Sequence, residues 1–218
     1  MSERARYALW GSSGHAKVLA DLIALRNGVV VALFDNDPEA VGALPGVPLH
    51  FGSAGFNAWN SAHGSSSAVH GLVAIGGARG RDRLDIQRFL VDHGLLFAPI
   101  VHPHASVCAS TSIGPGSQVL AHALIAADAR IGAATIVNHG AQVDHECIVG
   151  DGVHLAPRAT LCGLVHVEDG AMIGAGAVVL PRVWIGADTI VGAGSVVTRD
   201  LPPGVVAMGN PAQIARRV

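Results

Sequence analysis

From Val101 to Val197 an aliphatic residue returns at every sixth position, seventeen times without a gap, beginning Val101, Val107, Ile113, Val119 and ending Ile185, Val191, Val197. Four residues after each of the first sixteen sits a small or β-branched residue, from Ala105 and Thr111 through Cys147 to Thr189 and Ser195. A period of six fits neither an amphipathic helix nor an alternating strand, and it predicts a β-solenoid. One such repeat cannot bury its own apolar side chain, so stacked coils must share a core. Glycine follows the aliphatic residue at Gly114, Gly132, Gly150, Gly174, Gly186 and Gly192. These are expected at tight corners where a side chain or a negative φ would be awkward.

The stretch before the repeat carries a different pattern. Arg6 to Trp10 reads as a strand, Gly11 to His15 as a glycine loop and Ala16 to Arg26 as a helix, with Val29 to Phe34 as a second strand ended by the polar Asp35, Asn36 and Asp37. This order predicts a parallel sheet with a ligand crevice at the carboxyl ends of its strands. Pro45 to Pro48 marks a turn, Leu49 to Phe51 a short strand, Ala54 to Ala62 a helix and Ser61 to Ser67 a polar loop. Leu72 to Ile75 is a further strand. It runs into a second glycine turn, Gly76 to Arg81, opening a helix to about His93, and Leu95 to Ile100 is expected as a last strand feeding the solenoid. The expected division is residues 1–99, 100–200 for the solenoid and 201–218 as a closing segment.

Backbone N–H groups at both glycine turns, with the helix dipole, suit a phosphate, and Asp35 stands where an acidic residue commonly accepts hydrogen bonds from a ribose or base. The alternative is that the glycines only make turns and Asp35 caps a loop. The first loop is shorter than the fingerprint of dinucleotide sites, which argues against a nicotinamide or flavin.

Composition narrows the partners. Fourteen Lys and Arg against sixteen Asp and Glu give a formal charge of −2, with no block of like charge to attract nucleic acid or an anionic membrane. No apolar run approaches the ~18 residues of a membrane span, and the first residues lead into a glycine loop rather than a signal-peptide core, so a cytoplasmic protein is expected. Cys108, Cys147 and Cys162 form no metal-ligand pattern and read as reduced fillers. Aromatic residues are only 4%, which leaves Val, Ile, Leu and Ala to make the core.

The hexads resemble those of the hexapeptide acyltransferases. The resemblance implies a left-handed parallel β-helix with three hexads per coil, assembled as a homotrimer with active sites between subunits. Over nearly the whole chain, the order Tyr7–His15, Ala74–Gly77, Ile100–Pro103 and then the repeats is similar to bacterial sugar O- or N-acetyltransferases, a subgroup that includes enzymes acting on UDP-linked 4-amino sugars. That implies acetyl-CoA as co-substrate and a nucleotide-linked sugar as acceptor, without a metal. Carried over by position, Gly11, Gly14, His15, Asp35, Asn36, Gly76 and Gly77 would line the uridine and pyrophosphate site, with Arg79 or Arg83 as phosphate partners. Trp10-Gly11-Ser12 stands where relatives often have tyrosine, glycine and alanine.

Inside the solenoid, ionisable residues concentrate between Asn138 and His154. His145 and Glu146 take the third and fourth places of the hexad beginning at Val143, off the inward sites. Acetylating an amine needs a base to free its lone pair, a role that neutral imidazole fills near pH 7. A carboxylate beside the ring, Glu146 or Asp144, would orient it and favour its charged form. The resemblance assigns His145 as the general base and Glu146 as its partner. It also places His154 on the acetyl group or thioester carbonyl, Asn138 at the coenzyme A site and a backbone N–H near Gly163 on the carbonyl oxygen. The pantetheine arm would pass Gly163, Ala175, Gly176, Ala193 and Gly194. Gly209, Asn210 and Pro211 would touch coenzyme A, and Arg216 or Arg217 its phosphates, unless this tail only caps the last coil.

Two other readings use the same solenoid. A zinc enzyme of the γ-carbonic anhydrase type would recruit His139, His145 and His154, and a non-enzymatic scaffold would use none of them. An oxygen rather than a nitrogen acceptor, as in the sialic acid O-acetyltransferases of the same subgroup, is open within the favoured family.

Overall fold

The computed structural model describes residues 4–63 and 69–218. Within them the chain divides into two units, residues 1–75 with 85–98 and residues 76–84 with 99–218. The polar run expected from Ser61 to Ser67 enters as the end of a helix through His63, and its remainder lies outside the described residues.

The first unit is a parallel four-stranded sheet. Its elements are β1 (Ala5–Trp10), α1 (Gly14–Leu25), β2 (Gly28–Asp35), β3 (Leu49–Phe51), α2 (Gly52–His63), β4 (Val69–Val73) and the later part of α3 (Gly80–Asp92). The strand order is β3-β2-β1-β4. β1 is central because its sequence is apolar at its carboxyl end, and Ala8, Leu9 and Trp10 are all buried. The core is aromatic: Trp10 stacks on Phe34, and Phe34 meets Phe56 and Trp59 edge to face. An apolar core of Val, Ile, Leu and Ala alone is therefore wrong for this unit, because eight of the nine aromatic residues fall in it and the chain-wide percentage hides the segregation. The last strand expected from Leu95 to Ile100 reduces to a single bridge between His70 and Leu96, and Ile100–Val101 belongs to the solenoid instead.

The second unit is a triangular parallel β-helix. Two-residue strands alternate with four-residue corners, and strands pair with the strand one coil on: Ile100 with Gln118, Gln118 with Ile136, Ile136 with His154, His154 with Met172 and Met172 with Ile190. Each coil thus takes eighteen residues, or three hexads, and builds three faces. The first face holds Ile136–Val137 and His154–Leu155, the second Gln142–Val143 and Thr160–Leu161, the third Ile148–Val149 and His166–Val167. The aliphatic hexad positions point inward and form one core with the small residues four places on. Polar members of that second set bridge coils: Ser117 and Thr135 donate to the carbonyls of Gly132 and Gly150. The last segment is a hairpin, Val205–Gly209 against Ala212–Arg217, added to the edge of the first face with Asn210 and Pro211 at its exposed tip.

The corner glycines differ from expectation. Gly114, Gly132, Gly150, Gly174, Gly186 and Gly192 are not the positive-φ residues, which fall two places later at Gly116, His122, Asp128, Ala134, Glu146, Arg158 and their equivalents. What requires Gly132 is the next coil, since a Cβ there would lie 2.5 Å from the Gly150 carbonyl carbon and 2.6 Å from Asp151 N. Eight non-glycine residues accept the left-handed corner conformation at about 1–2 kcal/mol each, a cost that burying one aliphatic side chain, about 1.5–3 kcal/mol, offsets. Gly132→Ala is expected to lower the urea midpoint well beyond Gly176→Ala, whose Cβ would meet open space and carries only the conformational cost. Equal shifts of the two midpoints would refute close coil stacking as the reason for Gly132.

Candidate active site

His145 occupies the corner between the second and third faces, where the outward side chains of a coil are released from packing. Its ring Nδ1 lies 3.0 Å from Glu146 Oε2, with the two side chains 51% and 55% exposed. Asp144 makes a different contact: its Oδ1 accepts the His145 N–H at 2.7 Å. Of the two carboxylates considered from the sequence, Glu146 holds the ring and Asp144 braces the backbone. The left-handed φ of 56° at Glu146 is part of this turn. With Nδ1–H directed to the carboxylate, Nε2 keeps its lone pair for a proton.

Gly163 lies one coil above His145. A Cβ on it would sit 2.4 Å from His145 Nε2, so the imidazole rests against bare backbone. Gly163 is buried, and its N–H finds no acceptor among the described residues. A buried donor left open beside a free Nε2 is the pairing that an acyl-transfer centre needs. Cys147 and Cys162 stand in the same corner, the Cys147 thiol donating to the Cys162 carbonyl and pushed up to about 11 by burial, which leaves it un-ionised.

His154 is elsewhere. It projects from the first face, the side of the triangle opposite the His145 corner, and is 6% exposed. Its Nδ1 accepts the Gly77 N–H at 2.8 Å, and its Nε2 is 3.1 Å from Asn138 Nδ2. Ala175, Gly176, Ala193 and Gly194 share the corner between the first and second faces, and the exposed N–H groups of Ala175 and Ala193 have no acceptor among the described residues. Gly163 is not with them. His139, His145 and His154 are dispersed over different edges, and no group of three His, Cys, Asp or Glu with metal-ligand geometry occurs among the described residues.

The nucleotide-site candidates are divided between the two units. Gly11, Gly14, His15, Asp35 and Asn36 are in the first unit, whereas Gly76, Gly77, Arg79 and Arg83 are in the second. Gly11 has a φ of 109°, and a Cβ there would strike the Ala74 carbonyl, while the space around Gly14 is open. Asp35 accepts from the Ser12 hydroxyl at 2.7 Å and the Ser12 and Asp37 N–H groups at 3.0 and 3.1 Å. Burial would raise its pKa, but these hydrogen bonds outweigh it and hold the carboxyl below its ordinary value. Asp35 thereby braces the glycine loop. Gly77 directs its N–H to His154 rather than leaving it for a phosphate. Arg83 cannot serve as a phosphate partner as positioned, because it is fully buried and donates to backbone carbonyls. Arg79 is exposed and pairs with Asp82 at 2.6 Å. It borders a cavity of about 460 Å³ with Arg81, Asp82, Gly170, Asp188 and Val218, which none of the acyl-transfer candidates lines.

Comparison with known proteins accounts for both units. Residues 6–85 match the PglD N-terminal domain, and residues 165–199 match the bacterial transferase hexapeptide repeats. The GDP-perosamine N-acetyltransferase of Escherichia coli O157:H7 is 37% identical over 150 residues, which are 66% of this chain and 67% of that protein. The chain is a bacterial-type hexapeptide sugar acetyltransferase. The solved PerB of Caulobacter crescentus, in complex with CoA and GDP-perosamine, is 39% identical with a TM-score of 0.87, covering 96% of this chain and 97% of that one. The acetyltransferase domain of PglB from Neisseria gonorrhoeae, solved with acetyl coenzyme A, is 30% identical with a TM-score of 0.84, covering 97% and 100%. Matches to a putative acetyltransferase of Schizosaccharomyces pombe, a galactoside O-acetyltransferase of Lactococcus lactis and a UDP-N-acetylglucosamine O-acyltransferase of Aliivibrio fischeri are shorter, spanning 26% to 42% of their lengths. The β-helix of this acetyltransferase is left-handed, as in these structures. No helix among its described residues is long and apolar enough to cross a membrane.

Replacing Gly163 tests the corner directly. Gly163→Ala is expected to leave the fold intact, because φ there is ordinary, and to lower turnover by roughly 10²-fold by displacing the imidazole. Unchanged turnover in a folded variant would remove His145 Nε2 from the reaction.

Proposed function

We propose that this acetyltransferase moves the acetyl group of acetyl-CoA to the 4-amino group of a nucleotide-linked deoxy amino sugar, with each active site shared between two subunits of a homotrimer. The observation that carries the proposal is the His145 corner: a ring oriented by Glu146, a free Nε2 and the open Gly163 N–H beside it. The amine nitrogen attacks the thioester carbonyl carbon, forming the C–N bond as Nε2 takes the amine proton. The oxygen gains negative charge and is met by the Gly163 N–H. Collapse breaks the C–S bond, and the imidazolium returns its proton to the departing thiolate. Glu146 stabilises the imidazolium between the two steps.

His154 and Asn138 are on the far side of the same prism, so they reach a His145 centre only from a neighbouring subunit. The corner carrying Ala175, Gly176, Ala193 and Gly194 then supplies the opposite wall for the pantetheine arm. Gly11, Gly14, His15, Asp35 and Asn36 hold the nucleotide. A GDP-linked 4-amino sugar is the first substrate to test, because the PerB complex contains GDP-perosamine; UDP- and CMP-linked sugars, amino and neutral, complete the panel. Thiol release with neutral sugars alone would replace the N-acetyl reading with O-acetylation.

His145→Ala is expected to lower kcat by about 10²–10⁴-fold with assembly unchanged. Mixing His145→Ala and His154→Ala subunits before refolding should restore about a quarter of wild-type turnover, the fraction of interfaces that pair the two intact histidines in random trimers. Recovery no greater than the sum of the two variants alone would rule out a shared site.

A further inference from the structure

Charge is sorted by corner in the solenoid. The corner between the first and second faces, built by residues 102–105 and their equivalents at every eighteenth position, contains no Asp or Glu in any coil. It carries His102, His104, His122, His139 and Arg158 instead, with the His104 and His122 ring centroids 6.0 Å apart. The corner between the second and third faces is the opposite. Through its first three coils its acidic residues are Asp128, Asp144 and Glu146, with no Lys or Arg among them. The second face joins these two corners, and its outward residues Ser106, Leu124, Gln142, Thr160, Val178 and Val196 bear no charge. The first face is already buried at Gln118, Ile136 and His154, and the third carries Arg130 and His166. The uncharged second face is therefore the one suited to close round a threefold axis, which sets the basic corner of each prism against the acidic corner of the next.

Two details place one contact in that seam. Arg158 is exposed and forms no ion pair among the described residues. Its Cγ lies 3.4 Å from where a Cβ on Gly140 would stand, so its stem folds back over the bare backbone of the preceding coil, where its own N–H meets the His139 carbonyl at 3.0 Å. Coils are about 4.8 Å apart. The guanidinium is thereby brought down to the coil of Gly140, which is also the coil of Asp144 and His145. Asp144 is the matching acceptor at that height: its Oδ1 holds the His145 N–H at 2.7 Å, and its Oδ2 has no donor among the described residues. Glu146 is occupied by the His145 ring. We propose that Arg158 is a positioning residue acting across the subunit seam, its guanidinium donating to Oδ2 of Asp144 of the partner subunit and so fixing the turn that presents His145. Exposed to water such a pair contributes little, but between two prisms that exclude water it is stronger and holds one geometry. The contact rests on the shared-site trimer proposed above.

The test uses Arg158→Gln, which removes the charge and keeps a polar side chain at the exposed corner. It should lower kcat by roughly 10–10²-fold with KM for the nucleotide sugar little changed; Arg158→Lys, a point charge without the planar fork, should recover part of the loss. Asp144→Asn keeps an oxygen for the His145 N–H and should lower kcat to a similar extent, and the double variant should be no slower than the slower single one. Mixing Arg158→Gln and His145→Ala subunits before refolding should restore about a quarter of wild-type turnover, from interfaces that join the intact His145 of one chain to the intact Arg158 of the next. Unaltered kcat in Arg158→Gln, or losses that add in the double variant, overturn the proposal. So does a raised KM with kcat unchanged, which assigns the guanidinium to the phosphates of the substrate. If this mixture recovers nothing while His145→Ala with His154→Ala recovers, the site is shared and Arg158 has no part in it across the seam. If neither mixture recovers, the shared-site reading itself fails and the contact falls with it.

Discussion

The inward aliphatic side chain of one coil finds its partners in the coil eighteen residues away, and this stacking constrains nearly everything else in the solenoid. It fixes the six-residue spacing, because each face receives one inward residue per coil. It restricts the inward corner sites to small or β-branched residues, where Ala141, Cys147, Val153 and Ala159 are fully buried. It excludes a Cβ at Gly114, Gly132 and Gly150, where the adjacent coil's backbone approaches too closely. Outward positions are left almost unconstrained, and His145 and Glu146 occupy them.

The solenoid was legible because its energetics repeat. Seventeen equivalent environments write themselves into the sequence seventeen times, and packing leaves no other use for the aliphatic column. The left-handed corner was not legible, since His122, Asp128, Leu164 and Arg182 share that φ without sharing any chemistry. Side-chain identity cannot report a conformation that coil packing imposes on whatever residue stands there. The aromatic core of the first unit was obscured for the opposite reason: Trp10, Phe34, Phe56 and Trp59 are far apart in sequence and rare in composition, and only the sheet brings them together. Of the candidate site, the local pair His145–Glu146 could be read from adjacency, as could the stacking of Gly163 above it from the eighteen-residue register. The contact of Gly77 with His154 spans 77 residues and carries no periodic signal.

Triangular geometry also decides how the chemistry can be assembled. A prism presents its corners outward and its faces sideways, so residues on a corner and on the opposite face of one chain diverge. Gathering His145, His154 and the small-residue corner around one thioester requires a second prism. On the proposed acyl-transfer reading, a shared site follows from this cross-section and would tie activity to oligomerisation.

Arg83 illustrates how the same backbone explains a residue that the family resemblance assigns to a phosphate. Many corner carbonyls accept an N–H from the adjacent coil, but those of Ala134 and Gly152 accept no backbone N–H among the described residues. Where residues 76–84 cover the carbonyls of Ala134 and Gly152, water is displaced and each acceptor needs a donor, at about 1–3 kcal/mol for every one left unpaired. Arginine supplies several donors in one plane; an aliphatic side chain would supply none. The positive charge is thus retained for the geometry of its N–H groups, and a phosphate is not needed to account for it. The same guanidinium that satisfies the covered corner also reaches the Gly77 carbonyl, so the segment of residues 76–84 and the coil beneath it close their hydrogen bonds together.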